Sequence, residues 1–147
     1  MQGGAVSTAV APTLPEAPDS VRRLDHGDEA FATVVLQLVH LAGGRLDARV
    51  FEPAALLLTK AGVLDGATIT FGCDYELNVL SRELRRGYVH ALDAGRLCSN
   101  GSEMWLEPAF ADDAPQVEES AATTTRAILE LPQAELERRA RRLLLAE

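Results

Sequence analysis

The chain is predicted to be mainly α with a small β-hairpin, arranged as a winged-helix-like domain followed by C-terminal helices. Three observations predict this. Apolar residues make up 47% of the 147 residues, enough to bury a core in one domain of about 100 residues plus tails. Several segments place apolar side chains at the three- and four-residue spacing of a helix face. Asn100-Gly101 separates two short segments, and Asn-Gly is the strongest two-residue hairpin signal. Aromatic residues are only 5% of the chain, so the core is expected to be mostly Leu, Val and Ala.

Residues 1–24 are rich in Gly, Ala, Ser, Thr and Pro, with Pro12, Pro15 and Pro18 breaking any periodicity. Such a segment buries too little apolar surface to offset its ordering entropy, so a disordered tail is expected. The winged-helix-like domain is placed at 25–110. Its first helix is expected from Asp28 to Ala42, with Phe31, Val34, Val35, Leu38 and Leu41 as one stripe. Asp28 and Glu29 suit the positive end of the dipole, and Gly43-Gly44 stops the helix. Asp47 suits the cap of a short helical turn. Pro53 suits the first turn of a second helix running to about Ala61. Leu56, Leu57 and Leu58 cover more than one face of that helix, which suggests burial between neighbours.

A strand is expected at Thr68–Phe71, where Ile69 and Phe71 alternate with threonines. The third helix is expected from Tyr75 to Ala94, because Leu77, Leu80, Leu84, Tyr88, Ala91 and Leu92 fall within roughly 120° of one another. Gly87 lies inside it and weakens it by about 1 kcal/mol relative to Ala. The hairpin is expected to pair residues 96–99 with 102–107, with positive φ at both Asn100 and Gly101, and Pro108 is expected to end it. Residues 111–147 read as an acidic linker over 111–120 and two amphipathic helices, near 117–129 and 133–146. Helix, helix, strand, helix, hairpin is the order of a winged helix, with the hairpin as the wing.

Three stretches carry a family resemblance: Ala54–Gly62, Phe71-Gly72-Cys73-Asp74-Tyr75, and Gly95-Arg96-Leu97. With them, residues 31–106 resemble a loose group of small, mostly uncharacterised bacterial and archaeal winged-helix proteins and, more distantly, the Panacea antitoxin-type domain. The pattern of that group is a leucine-rich helix, a strand ending in Tyr-Gly-Pro-Tyr-Ser, and a helix ending in Gly-Leu-Ile. Gly72 keeps its residue type in the strand motif, whereas Pro and Ser are replaced. The resemblance implies the fold and a non-enzymatic regulatory or partner-binding role, with no substrate.

Composition and spacing narrow the chemistry. Fourteen basic and twenty-two acidic side chains give a net charge of −8, which opposes nucleic acid unless a local basic patch forms. No apolar run is long enough to span a membrane, and no signal peptide is recognised at the start. Cys73 and Cys98 lack metal-type spacing, and so few cysteines suit a reducing, cytoplasmic setting. His26, His40 and His90 include no pair at the spacing that joins two imidazoles on one helix face. No metal site, cofactor or catalytic set is expected, and the chain reads as a non-enzyme.

Two constellations remain. Asn78, Arg82, Arg85 and Arg86 are expected within about 100° of one another on the third helix, which a winged helix inserts in the major groove. Arg and Asn read guanine and adenine edges bidentately. The same face reads more readily as a solvated or protein-binding surface, because Asp74, Glu76, Glu83 and Asp93 balance the arginines and the wing carries no cation. The second is Leu136, Arg138, Arg141, Arg142, Leu143 and Leu144 on the last helix, which suits a partner-docking or self-association helix, or an amphipathic helix packed on its own domain. A protein partner or self-association is the leading expectation. Sequence-specific DNA binding through the third helix is the alternative.

Overall fold

A computed structural model describes residues 19–146, with side chains from Gly27 onward. The elements run α1 (Asp19–Leu41), β1 (Arg45–Asp47), a 3₁₀ turn (Ala48–Val50), α2 (Phe51–Lys60), β2 (Gly72–Cys73), β3 (Val79–Leu80), α3 (Arg82–Asp93), β4 (Leu97–Ser99), β5 (Glu103–Leu106), α4 (Pro108–Asp113), α5 (Glu119–Leu129) and α6 (Gln133–Ala146). The chain is thus mainly helical with small antiparallel sheets. α1 begins directly after Pro18, the last of three prolines, so residues 19–24 of the expected disordered tail are helical. The rest of that tail lies outside the described residues.

α1 is the spine of the core. Ala32, Val34, Val35, Leu36, Leu38 and Val39 are all buried along it, a wider stripe than expected because α1 is covered from several sides. Its main partner is α3. Gly87 sits where the two cross. A β-carbon built on Gly87 would lie 2.4 Å from the carbonyl carbon and 2.5 Å from the carbonyl oxygen of Phe31. The residue expected to weaken α3 is therefore what lets the two backbones meet, and α3 runs unbroken through it.

β1 was not expected from sequence, since three residues are too few for an alternation to register. It pairs antiparallel with β5, with Leu46 opposite Met104, and β5 pairs with β4, giving the order β1-β5-β4. Leu46, Leu97, Met104 and Leu106 turn inward and are buried. This first strand joins the outer hairpin, so three helices precede the closing of one small antiparallel sheet. At the hairpin tip only Gly101 takes positive φ, at 92°; Asn100 does not. Asn100 Oδ1 instead accepts the N–H groups of Ser102 and Glu103, each at 2.9 Å. Gly101→Val should cost about 1 kcal/mol or more through strain at that φ. Urea unfolding would check this, and an unchanged midpoint would mean the turn readily relaxes.

The region between α2 and α3 departs most from expectation. Residues 68–71 form no strand, because Thr70 sends its N–H and hydroxyl to Glu83 instead of to a neighbouring strand. Pairing occurs further on, with Gly72 opposite Leu80 and Cys73 opposite Val79. Consequently residues 75–81 are not helical. α3 starts at Arg82, where Ser81 caps it by accepting the Leu84 N–H at 3.2 Å. Leu77 and Leu80 fall in helical phase but lie on the β2–β3 hairpin. The Phe71–Tyr75 stretch that carried the family resemblance is on that hairpin too, and the serine directly ahead of the helix is Ser81.

At the C-terminal side, Pro108 opens a helix rather than ending a hairpin. Glu107 caps α4 through the N–H groups of Ala109 and Phe110, and Pro108 occupies the first turn, where its missing N–H costs nothing. The expected linker at 111–120 is thus helical to Asp113 and again from Glu119. α6 matches the expected range and packs against α2, with Leu136 and Ala140 fully buried.

Candidate functional site

The Asn78/Arg82/Arg85/Arg86 face does not form as one unit. Asn78 is on the turn between β2 and β3, where its Nδ2 donates to Asp74 Oδ2 at 3.1 Å and its N–H donates to Asp74 Oδ1 at 2.9 Å. These bonds, the Asn78 N–H first, hold the Asp74 carboxyl below its usual range. The three arginines do lie on α3 and line one shallow hollow with Asp28, Val89 and His90.

Most of the cations in that hollow are already committed. Arg85 Nε and Nη2 donate to Glu52 at 3.0 and 3.2 Å, and this pairing raises the arginine above its ordinary value. The same Glu52 carboxylate accepts the Ser81 N–H at 2.7 Å, so it ties the start of α2 to the cap of α3. Arg86 lies 2.6 Å from Asp28 Oδ1, an ion pair without hydrogen-bond alignment, and its guanidinium sits over the Phe31 ring at 5.8 Å. His90 and Arg96 both reach Glu29, at 2.7 and 3.0 Å. The hydrogen bond from His90, then that from Arg96, holds Glu29 below its usual range. Arg82 alone on α3 is an exposed cation without a partner among the described residues.

The wing adds no cation at its tip, Asn100-Gly101-Ser102. Arg45 on β1 is paired with Glu103 at 2.7 Å and stacked over Trp105 at 4.8 Å. Surfaces that the sequence did not flag are apolar. Tyr75 is fully exposed, and Leu77 and Val89 are about half exposed. Leu77 also has a φ of +64°, the single non-glycine residue with positive φ among the described residues. The four-residue spacing of Asp74 and Asn78 was the one signal of this turn, since both side chains favour local backbone hydrogen bonds.

On α6, the six expected docking residues divide. Leu136 is buried and Leu144 packs on the cluster of Leu56, Val79 and Ala140. Leu143 lines a hollow with Leu57, Arg138 and Arg142. Arg138 pairs with Glu135, which also accepts from Arg139 at 2.7 Å. Arg141 is half-buried and Arg142 exposed. The apolar half of this constellation thus seats the helix on its own domain.

Among the described residues, no group of three or more His, Cys, Asp and Glu side chains is placed to hold a metal ion, and no helix is long and apolar enough to cross a membrane. Comparison with protein-family models, curated proteins and solved structures finds no match.

Proposed function

We propose that the chain is a non-enzymatic regulatory or protein-interaction module of the cytoplasm, built on a winged-helix-like domain. One observation supports this over DNA reading: two of the three arginines of α3 face carboxylates of its own fold. Arg85 and Arg86 are paired with Glu52 and Asp28, and His90 hydrogen-bonds Glu29. Phosphate contacts supply much of the affinity of a DNA-binding protein, and an arginine already bonded to a carboxylate must give up that bond to make one. A net charge of −8 and an uncharged wing tip act in the same direction.

The DNA reading keeps one specific support, the exposed Arg82 at the start of α3. The decisive assay is fluorescence polarisation with random-sequence duplex DNA at low salt, on the wild type and on Arg82→Glu. Arg85 and Arg86 are unsuitable for reversal, because a glutamate at either position would face Glu52 or Asp28 and disturb the fold. The expected result is no sub-micromolar binding by either protein. Tight, salt-sensitive binding by the wild type that Arg82→Glu abolishes would replace this reading with the DNA-binding one.

A further inference from the structure

We propose that the turn at 74–78 is a preformed plug, received by a partner protein in an apolar pocket rimmed with lysine or arginine; this rests on the protein-interaction reading above. Four large apolar side chains are exposed among the described residues, and two of them, Tyr75 and Leu77, stand two positions apart on this one turn. Tyrosine is among the side chains that most often dominate binding energy at an interface.

The turn is ordered before any partner arrives. Asp74 Oδ1 accepts the N–H groups of Glu76 and Asn78 at 2.9 Å each, and the Asp74 carbonyl accepts the Leu77 N–H at 3.0 Å. Its base is anchored through Val79, buried against Leu56 and Ala140. Little conformational freedom is left to lose on binding, which favours affinity. Leu77 holds a left-handed backbone that glycine or asparagine adopts more readily. A leucine held there, half exposed, carries a conformational cost, which points to use of the side chain. Charge selects the receiving surface. The turn carries Asp74 and Glu76 and no cation, on a chain of net charge −8, so a basic rim attracts it and an acidic one repels it.

The test uses the full chain, immobilised, and a displayed library of constrained random peptides as the probe. Selected binders are expected to combine aromatic or aliphatic residues with Lys or Arg. Their affinity should fall about tenfold or more in Tyr75→Ser and Leu77→Asn and hold in Val89→Ser. The thermal midpoint of Leu77→Asn should stay level or rise, because asparagine tolerates this φ. Binders that retain affinity in both turn variants, binders that are acidic, or no enrichment at all would overturn the plug, as would a clear fall in the Leu77→Asn midpoint. Binders mapping to Val89 would leave the interaction role standing and remove only the plug. Tight duplex binding in the polarisation assay would remove the role itself.

Discussion

Gly87→Ala should lower stability by about 3 kcal/mol, the upper end of the usual range for overpacking, although alanine gains about 1 kcal/mol of helix propensity over glycine. The added methyl would fall 2.4 to 2.8 Å from three backbone atoms of Phe31 and Ala32. Backbone atoms have no alternative rotamer, so α3 must shift away from α1 as a body. That shift would also pull Arg86 from Asp28 and Phe31, and Leu84 and Ala91 from the core. The thermal midpoint should drop by roughly 10 °C or more. A midpoint within a degree or two of wild type would mean that the helices do not cross at this residue.

Leu136→Ala should cost about 2 to 5 kcal/mol, the range for truncating a buried leucine and leaving a cavity. Leu136 is fully buried, on the helix whose main contact is α2. The measurement separates two ways of reading the last helix. If α6 were held free for a partner, Leu136 would face water and its truncation would change stability by less than about 0.5 kcal/mol. Denaturant unfolding of the isolated protein would decide between them, and an unchanged slope with a lowered midpoint would show that α6 unfolds with the rest of the domain.

The helices were legible because their signals are local. Gly43-Gly44, Gly62 and Gly95 each stop a helix in positive φ, and the apolar periodicity of α1, α2 and α6 reflects faces that are in fact buried. The error in α3 has a specific origin. Leu77 and Leu80 continue the phase of Leu84 and Tyr88, so periodicity alone extends the helix backwards by seven residues. Ser81 followed by Glu83 marked the true start, a capping residue with an acid in the first turn, but a longer apolar stripe outweighed it. β1 and the β2–β3 pair were invisible because two or three residues cannot show alternation, and the partner of β1 lies far along the chain. Pro108 reads as a stop and as a first-turn residue alike, and only the Glu107 side chain settles which.

The candidate face was half legible. The arginines were found, and so was their balance by acids, but the balance was assigned to Asp74, Glu76, Glu83 and Asp93 nearby in sequence. The acids that contact Arg85, Arg86 and His90 are Glu52, Asp28 and Glu29, each more than 30 residues away on another helix. Pairings at that separation are set by how α1 and α2 pack on α3, and no spacing rule reveals them.

Those distant carboxylates have a consequence for the surface of α3. The charge that α3 presents is set by the helices behind it as well as by its own outer residues. Exchanging Asp28, Glu29 and Glu52 for their amides would leave every arginine in place, remove the carboxylate partner of Arg85, Arg86 and Arg96 and move the chain's charge from −8 toward neutrality. Substitution at those three positions alone would thus change the charge that α3 presents without altering any residue of the helix itself.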